Sequence, residues 1–324
     1  MSHHIAKTEY YPQWFLRNGH INTIYPTLFR SNPNVNYNRE RIITDDDDFL
    51  DIDLLRASNP SLAVICHGLE GSSASKYVLG TAAHLHSNNW DVAAMNYRGC
   101  SGELNKQRTL YHSGATYDLH TIIEHFGPQY DTVVLVGFSL GGNLVLKYIG
   151  DGKYKLPCNL KAVVAISVPV DLHAGCINIS RKSNFIYQHK FLKSLKAKLH
   201  LKAAQFPDTY KIRDLKHVKT LYDFDNLFTG PIHGFEDALD YYTKCSSLQH
   251  IEDIQHPTLV INALDDPFLP DECYPYKEIN NNNYVSRIFP KYGGHVGFSS
   301  CRDKVYWEED EILNFINRSD ASSN

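Results

Sequence analysis

Residues 132–142 read TVVLVGFSLGG, an apolar run that passes directly into a Gly-x-Ser-x-Gly motif. The length and the Val/Leu content of Thr132–Phe138 are typical of a strand buried on both faces, and a helical pattern follows at Gly141–Ile149. A serine between such a strand and such a helix sits on a sharp turn, where only small residues two positions away let the backbones approach closely. The motif therefore predicts that Ser139 is a nucleophile at the end of a strand.

Other apolar runs on both sides of this motif predict further strands. These runs lie at residues 61–67, 90–97, 160–168, 257–263 and 284–289. Amphipathic segments that predict helices lie between and after them, at residues 76–86, 115–126, 141–149 and 306–315. Residues 41–44 and 49–55 predict an antiparallel hairpin ahead of this alternation. The whole pattern predicts an α/β fold whose mostly parallel central sheet carries helices on both faces.

One interval interrupts the alternation of strands and helices. Roughly ninety residues without a strong strand pattern separate residue 168 from residue 257, and a structureless loop of that length is improbable in a compact domain. Residues 190–204 have helical spacing and alternating charge, and residues 235–242 are amphipathic. We therefore expect a helical cap over residues 171–254, inserted into a single domain that spans residues 1–324.

A serine hydroxyl is a weak nucleophile until an adjacent base takes its proton, and that base needs an acid to orient it. Candidates for both follow predicted strands. The run at 257–263 leads to Leu-Asp-Asp-Pro at residues 264–267, and the run at 284–289 leads to Gly-Gly-His-Val-Gly at residues 293–297. Serine, acid and histidine then occur in the order found in hydrolases with this serine turn, so we expect His295 to be the base.

Asp265 and Asp266 both stand where the acid is expected. Asp266 precedes Pro267, and a residue before proline is biased toward an extended backbone. This bias would hold the Asp266 carboxylate at a fixed angle toward His295. Asp265 would then point away and accept hydrogen bonds from N–H groups of the loop. We therefore expect Asp266 to be the acid and Asp265 to matter more for stability than for rate.

A reaction at an ester carbonyl also needs N–H donors for the negative charge of its tetrahedral intermediate. The first candidate donor is the N–H of Leu140, directly after Ser139. The loop HGLEG at residues 67–71 follows an early strand, and the N–H of Leu69 is the second candidate. We expect His67 to orient this loop rather than to act as a second base.

Composition and charge exclude several classes of protein. Hydrophobic residues make up 43% of the 324 residues and charged residues 21%, as in soluble globular proteins. The 36 Asp and Glu outnumber the 32 Lys and Arg without any basic block, which argues against a nucleic-acid partner. No apolar stretch approaches the ~18 residues that span a bilayer, and Met1–Pro12 lacks the apolar core of a secretory signal. Seven scattered cysteines predict reduced thiols, so we expect a soluble cytoplasmic protein.

The acidic run Asp45–Asp48, with Asp51 and Asp53 nearby, is the main candidate for a cation site. Alternation along a hairpin and a solvated turn explain these residues better. His84 and His86 lack a cysteine or carboxylate partner at ligand spacing. We therefore expect neither a metal nor a cofactor.

Several longer strings carry a resemblance to a known family. They are HGLEGSS at residues 67–73, NYRGCS at 96–101, GFSLGGN at 137–143 and ALDDPF at 263–268, with RNGH at 17–20 followed by Thr23-Ile24. With these strings the chain resembles the YheT-like branch of the α/β-hydrolase superfamily, AB hydrolase family 4. The resemblance implies an α/β-hydrolase fold and an ester hydrolase with Ser139, Asp266 and His295 as its triad. In that superfamily the acid tends to lie four residues before a proline, which Pro270 provides for Asp266.

The favoured interpretation is a serine carboxylesterase that hydrolyses a small-molecule acyl ester or a lipid. Relatives in the family act on medium-chain acyl esters or phospholipids. Two alternatives stay open. The same triad could transfer an acyl group to an alcohol if the cap excludes water, or the chain could be a ligand-binding homologue without catalysis. The second alternative is weaker because all three triad candidates are present.

Overall fold

The computed structural model describes residues 9–301 and 303–321; residues 1–8, 302 and 322–324 of the predicted domain lie outside them. Eight strands form one sheet in the described residues. They are β1 (Asn38–Ile43), β2 (Phe49–Leu55), β3 (Ser61–Cys66), β4 (Asp91–Asn96), β5 (Thr132–Phe138), β6 (Leu160–Ile166), β7 (Thr258–Ile261) and β8 (Val285–Ile288). Their order is β1-β2-β4-β3-β5-β6-β7-β8. The pairs β1–β2 and β2–β4 are antiparallel and the other pairs are parallel, which confirms the predicted mostly parallel sheet and its N-terminal hairpin.

The helices alternate with these strands and also fill the long interval between β6 and β7. They are α1 (Gly19–Phe29), α2 (Lys76–Ser87), α3 (Thr116–Phe126), α4 (Leu140–Gly150), α5 (Leu172–Ile179), α6 (Phe185–Gln205), α7 (Leu221–Phe224), α8 (Gly230–Ile232), α9 (Ala238–Cys245), α10 (Tyr276–Asn280) and α11 (Trp307–Ala321). In the described part of the chain, no helix has both the length and the apolar character needed to cross a bilayer. Helix α1 was not predicted from the sequence.

Strand β5 illustrates why the central strands read as continuous apolar runs. Val133 and Leu135 pack in one buried cluster with residues of α3 and α4, while Val134 and Val136 pack in a second cluster with residues of α2 and α11. Successive side chains of a strand point to opposite faces of the sheet, so a strand covered on both faces is apolar at every position. Helices thus cover both faces of the sheet, as predicted.

Residues between β6 and β7 form five helices, α5 to α9, with an apolar cluster of their own. The segment predicted to be helical at residues 190–204 lies inside the longer α6, and the amphipathic segment at 235–242 overlaps α9. Leu248 N–H donates to the carbonyl of Val170 at 3.1 Å, so the two ends of this interval meet. That residues 171–254 act as a cap stays a prediction.

The acidic run after β1 is only partly a solvated turn, and that interpretation was wrong for Asp48. The Asp48 side chain is fully buried, where it lies 3.2 Å from the Arg98 guanidinium and accepts a hydrogen bond from Asn105 at 2.6 Å. Arg98 is itself 3% exposed and pairs with Asp118 at 2.7 Å. A buried guanidinium needs such carboxylate partners, because an unpaired buried charge is strongly destabilising. The carboxylates therefore neutralise an arginine, and no metal-binding group of three or more His, Cys, Asp or Glu is found among residues 9–301 and 303–321.

Candidate functional site

Ser139 occupies a strained turn between β5 and α4. Its φ of 54° lies in the left-handed region that non-glycine residues rarely adopt. A Cβ at Gly137 would lie 2.3 Å from the carbonyl oxygen of Gly141, and a Cβ at Gly141 would lie 2.3 Å from that of Cys66. Neither position has room for a side chain, which confirms the predicted need for small residues on both sides of Ser139.

Two hydrogen bonds join the three side chains that the sequence predicts to act together. His295 Nε2 lies 2.9 Å from Ser139 Oγ, and His295 Nδ1 lies 2.8 Å from Asp266 Oδ2. The Asp266 side chain is fully buried and that of His295 is 10% exposed. An Nδ1–H that donates to the carboxylate leaves Nε2 free to accept the hydroxyl proton. The arrangement can therefore move a proton from Ser139 to His295.

Asp265 binds the loop that carries the histidine rather than the imidazole. Its Oδ1 accepts a hydrogen bond from Gly294 N–H at 2.8 Å, and its Oδ2 is buried without a hydrogen-bond partner among the described residues. Burial raises the pKa of the Asp265 carboxyl, and the bond from Gly294 only partly opposes that rise. Asp266 is oriented separately, because its Oδ1 accepts from Phe268 N–H at 2.8 Å. The two neighbouring carboxyls thus have different partners.

Helix α1 supports the histidine loop from the outside. His295 N–H donates to Thr23 Oγ1 at 2.8 Å. Gly294 has a φ of 60°, and a Cβ there would lie 2.5 Å from the carbonyl oxygen of Gly19. Sequence reasoning missed this contribution, since residues 17–24 entered only as part of the family resemblance. A threonine that accepts a backbone hydrogen bond from a distant loop has no local signature.

The loop after β3 leaves one backbone amide without a partner. Gly68 N–H donates to Tyr77 Oη at 2.9 Å, and Glu70 N–H donates to Tyr111 Oη at 2.8 Å. Between them, Leu69 N–H has no acceptor among the described residues, and the same holds for Leu140 N–H at the start of α4. Both leucines line the same cleft as Ser139 and His295. These two amides are therefore free to bind a substrate oxygen.

Glu70 connects this loop to α6. Its Oε1 lies 2.7 Å from Lys198 Nζ and 2.8 Å from Tyr111 Oη, and Ser194 Oγ donates to its Oε2. Burial raises the pKa of the Glu70 carboxyl, but the attraction of Lys198 and these hydrogen bonds outweigh it and leave the pKa lowered. The backbone of Glu70 has a φ of 54°, so a buried ion pair holds a strained position next to Leu69.

His67 orients the same loop, as predicted. The ring is fully buried, with Nδ1 2.7 Å from the carbonyl oxygen of Gly68 and Nε2 3.3 Å from the N–H of Tyr97. One ring nitrogen donates and the other accepts, which requires a neutral imidazole. Burial lowers the pKa of His67 to about 4. Both ring nitrogens are engaged by the backbone and the low pKa makes the imidazole a weak base, so His67 is poorly suited to be a second base of the site.

An apolar cleft opens beside Ser139, with a cavity volume of about 130 Å³. Its walls come from the loops after β3 and β7, from the start of α4, and from the helices between β6 and β7. The apolar lining residues are Leu69, Leu140, Leu172, Ile179, Phe191, Leu195, Leu221, Phe268 and Leu269. The ring of Phe268 lies 4.1 Å from that of His295. A nucleophile beside an apolar wall of this kind suits an ester with an aliphatic acyl chain.

Comparison with known sequences gives the same assignment from most of the chain. Residues 64–299 match the family model of the α/β-hydrolase fold. YheT of Escherichia coli (strain K12), which carries an esterase name, is 35% identical over 96% of this chain and 94% of its own length. The monoacylglycerol lipase of Saccharomyces cerevisiae is 28% identical over 79% of this chain and 58% of its own length. The phospholipase ABHD3 of Homo sapiens is 27% identical over 91% of this chain and 74% of its own length.

Solved structures agree on the fold. The esterase Pf2001 of Pyrococcus furiosus has a TM-score of 0.60 at 15% identity, over 89% of this chain and 96% of that chain. At such low identity the likeness concerns the fold alone. The match to the family model and the identity with YheT go further, because they cover most of the chain and include the serine turn. This chain therefore belongs to the α/β-hydrolase family, in its YheT-like branch.

Proposed function

We propose that this protein is a serine carboxylesterase that hydrolyses acyl esters of small molecules or lipids. The observation that carries the proposal is the hydrogen-bonded series from Ser139 Oγ through the His295 ring to Asp266, at the edge of an apolar cleft. The names of two relatives, monoacylglycerol lipase and phospholipase, support an ester substrate with an aliphatic acyl chain.

In the first half of the reaction, Ser139 Oγ attacks the ester carbonyl carbon while His295 Nε2 takes the hydroxyl proton. Asp266 keeps the imidazole in the required tautomer and stabilises the imidazolium that forms. The carbonyl oxygen becomes an oxyanion, which accepts hydrogen bonds from the N–H groups of Leu69 and Leu140. His295 then protonates the leaving alcohol, and the acyl group remains on Ser139.

In the second half, water enters and His295 takes one of its protons as it attacks the acyl-enzyme. The same two amides stabilise the second oxyanion. The carboxylic acid leaves and the Ser139 hydroxyl is restored. These steps need only the side chains and amides named here, so the chemistry requires no cofactor.

We also propose that residues 171–254 form a cap that binds the acyl chain. Helices α5 and α6 contribute Leu172, Phe191 and Leu195 to the cleft wall, and α9 contributes Tyr242. A cap of this kind contributes binding energy at a distance from the reacting atoms.

The test is a Ser139→Ala variant assayed on aryl esters with acyl chains of two to sixteen carbons. We expect hydrolysis to fall by about 10⁴-fold or more, because the nucleophile and its base act as a unit. A fluorophosphonate should label the parent protein but not the variant. Ser183→Ala changes an exposed serine and serves as the matched control.

Activity of Ser139→Ala within tenfold of the parent, in a variant whose circular dichroism is unchanged, would rule out the proposed mechanism. Adding glycerol or ethanol to the same assay separates hydrolysis from acyl transfer. A new ester product that replaces most of the free acid would assign acyl transfer as the main reaction.

A further inference from the structure

Helix α1 exposes large apolar side chains to solvent, and the residues that it packs against the protein have no large apolar side chain. Its eleven residues include no charged side chain. The buried positions are Gly19, Asn22 and Pro26, whereas Ile21, Leu28 and Phe29 are 46%, 64% and 69% exposed. Positions i, i+7 and i+8 share one face of a helix, so these three side chains form an outward apolar stripe. A surface helix of a globular protein normally has the opposite arrangement.

Aromatic contacts extend this stripe beyond the helix. Trp14, which is 81% exposed, packs edge-on against Phe15 with ring centroids 5.7 Å apart. Phe15 contacts Tyr25, and Tyr25 contacts Phe29 at 5.0 Å. The exposed apolar surface is therefore continuous from Trp14 to the end of α1.

The start of α6 adds a second exposed apolar segment beside the first. Phe185 and Ile186 are 63% and 70% exposed. The next residue, Tyr187, stacks on His20 of α1 at 5.8 Å, and its hydroxyl lies 3.2 Å from His20 Nδ1. This contact brings the first turn of α6 next to the first turn of α1.

The stretches of sequence that carry both segments contain cationic but no acidic residues. No Asp or Glu occurs between residues 10 and 39 or between residues 172 and 207, in a chain whose net charge is −4. Five cationic side chains near the two segments are exposed and form no ion pair with a described residue. They are Arg17, Arg181, Lys182, Lys190 and Lys193. Apolar side chains bordered by unpaired cations are typical of a surface that binds anionic lipid.

This surface lies close to the candidate site. Thr23 of α1 accepts the hydrogen bond from His295 N–H at 2.8 Å. Tyr187 of α6 contacts Phe268 at 4.8 Å, and Phe268 contacts His295 at 4.1 Å. One turn further along α6, Phe191 lines the cleft. A molecule bound at this surface would therefore lie close to the histidine loop and to the wall of the cleft.

We propose that this surface docks the protein on an anionic lipid bilayer. We call it the docking face and define it by six exposed apolar side chains and by the five cations named above. The six apolar side chains are Trp14, Ile21, Leu28, Phe29, Phe185 and Ile186. They enter the interface while the cations contact phosphate headgroups. A second copy of the chain fits less well, because a symmetric contact would bring the same unpaired cations together.

Docking goes beyond the proposed hydrolysis and does not depend on it, so the two can fail separately. The full-length protein is sedimented with vesicles of phosphatidylcholine alone or with about one third phosphatidylglycerol. We expect the protein to bind the anionic vesicles, and to bind the neutral vesicles at least tenfold more weakly. Binding should also weaken at least tenfold in about 0.5 M salt, where surface charges are screened. Ser139→Ala should bind as the parent does.

Paired variants locate the contact. Phe185→Ser with Ile186→Ser, and separately Lys190→Glu with Lys193→Glu, should each weaken binding at least tenfold. Tyr284→Ser removes an exposed aromatic side chain at the amino end of β8, and Lys153→Glu with Lys155→Glu reverses charge after α4. These two controls should bind like the parent. Circular dichroism checks that every variant is folded.

Trp14 reports the depth of insertion directly. Brominated lipids should quench the tryptophan fluorescence of the bound parent, and Trp14→Phe should abolish that quenching while Trp90 and Trp307 remain. Failure to bind anionic vesicles, or equal losses in the control variants, would overturn the proposal. A docking-face variant that dissolves a dimer in the ultracentrifuge without changing vesicle binding would assign the face to a second copy instead.

Discussion

The adjacent carboxyl groups of Asp265 and Asp266, in the loop after β7, face different partners. Asp266 faces the imidazole and Asp265 faces the backbone of the same loop, at Gly294. The Asp266 carboxylate can stabilise an imidazolium in the transition state. The Asp265 carboxylate can only hold the loop in place. The two positions should therefore respond differently to loss of charge.

Replacing each aspartate by asparagine tests this division. Asp266→Asn should lower kcat by up to ~10⁴-fold, because an amide at this position favours the wrong histidine tautomer. Asp265→Asn should lower kcat less than tenfold but reduce the free energy of unfolding by about 1–2 kcal/mol, since its contact with Gly294 is weakened. Steady-state kinetics and urea unfolding measure the two effects. The reverse ranking in folded variants would move the acid to Asp265.

The buried ring of His67 should make the stability of the fold depend on pH. Burial lowers its pKa to about 4, whereas an unfolded histidine has a pKa near about 6.5. Below pH 6.5 the unfolded chain therefore binds a proton that the folded chain does not. His67 therefore does not destabilise the fold above about pH 6.5. As the pH falls toward 4, protonation of the unfolded chain lowers the free energy of unfolding by up to about 3 kcal/mol.

A His67→Gln variant lacks this titration but keeps a donor and an acceptor in the same place. We expect the parent to lose its stability advantage over the variant between pH 7 and pH 4, as measured by urea unfolding at each pH. The other buried groups titrate in both proteins, so the difference isolates His67. Parallel pH profiles for the two proteins would contradict the neutral, buried imidazole.

Sequence reasoning found the residues whose side-chain type carries chemistry and which follow predicted strands. Ser139, Asp266 and His295 satisfy both conditions, and the structure brings them into hydrogen-bond contact. Thr23 follows no predicted strand, and Glu70, although it follows one, has no neighbour in sequence that reveals its partner. Thr23 acts on a backbone amide 272 residues away, and Glu70 depends on a lysine 128 residues away. Such pairs are specified only by the completed fold.

At the scale of elements, the loop after β3 and helix α6 are joined by the buried pair of Glu70 and Lys198. The loop carries Leu69, and α6 lines the cleft with Phe191 and Leu195. A helix between β6 and β7 therefore holds a loop that we assign to oxyanion binding. Glu70 is a positioning residue in this scheme, since its side chain acts through the backbone of Leu69.

A Glu70→Gln variant keeps the shape of the side chain and removes its charge. We expect kcat to fall at least tenfold while KM changes less than threefold, because one oxyanion donor is worth ~10²–10³ in kcat and here it is displaced rather than removed. Affinity for a boronic acid that mimics the tetrahedral intermediate should fall by the same factor as kcat. A purely structural role would change stability without this selective loss.

Lys198→Met should reproduce the effect of Glu70→Gln, and the double variant should cost little more than either change alone. The matched control is Lys244→Met, which breaks an exposed ion pair with Asp240 on α9. That variant should keep kcat within twofold. Equal losses of kcat in the control would assign the effect to the helices as a whole.

Strands buried on both faces were predictable from the sequence, whereas strand ends and helices whose limits depend on tertiary contacts were not. All seven positions of strand β5 are buried, and its sequence is correspondingly a continuous apolar run. Strand β7 ends two residues earlier than predicted, because the Asn262 side chain takes over the hydrogen bond to Val168 N–H as the chain leaves the sheet. Helix α1 escaped prediction because its buried positions are Gly19, Asn22 and Pro26 rather than apolar side chains, and because a proline inside a segment argues against a helix.

At the scale of the whole molecule, the two ends of the interval between β6 and β7 lie close together. The chain leaves the sheet after Ile166 and returns near Leu248, where the bond to Val170 closes the interval. The helices in between have their own apolar cluster, separate from the two clusters that sandwich the sheet. This arrangement allows the interval to be removed without cutting the sheet.

Replacing residues 171–247 by a short glycine linker tests the cap. The truncated chain loses Lys198, so every ester should lose the factor measured for Glu70→Gln. Longer acyl chains should lose more, because each methylene that no longer packs in the cleft weakens binding by about 0.8 kcal/mol. The informative quantity is therefore the ratio of kcat/KM for an eight-carbon ester to that for a two-carbon ester, which should fall at least tenfold.

A point variant keeps this last prediction independent of how well the truncated chain folds. Phe191→Ala shortens the cleft wall contributed by α6 and leaves Lys198 in place. It should lower the same ratio severalfold while hydrolysis of the two-carbon ester stays within twofold. If both folded variants impair all chain lengths equally, the interval does not bind the acyl chain. The apolar walls beside Ser139 would then have to be supplied by the loop after β3, by Leu140 at the start of α4, and by Phe268 and Leu269.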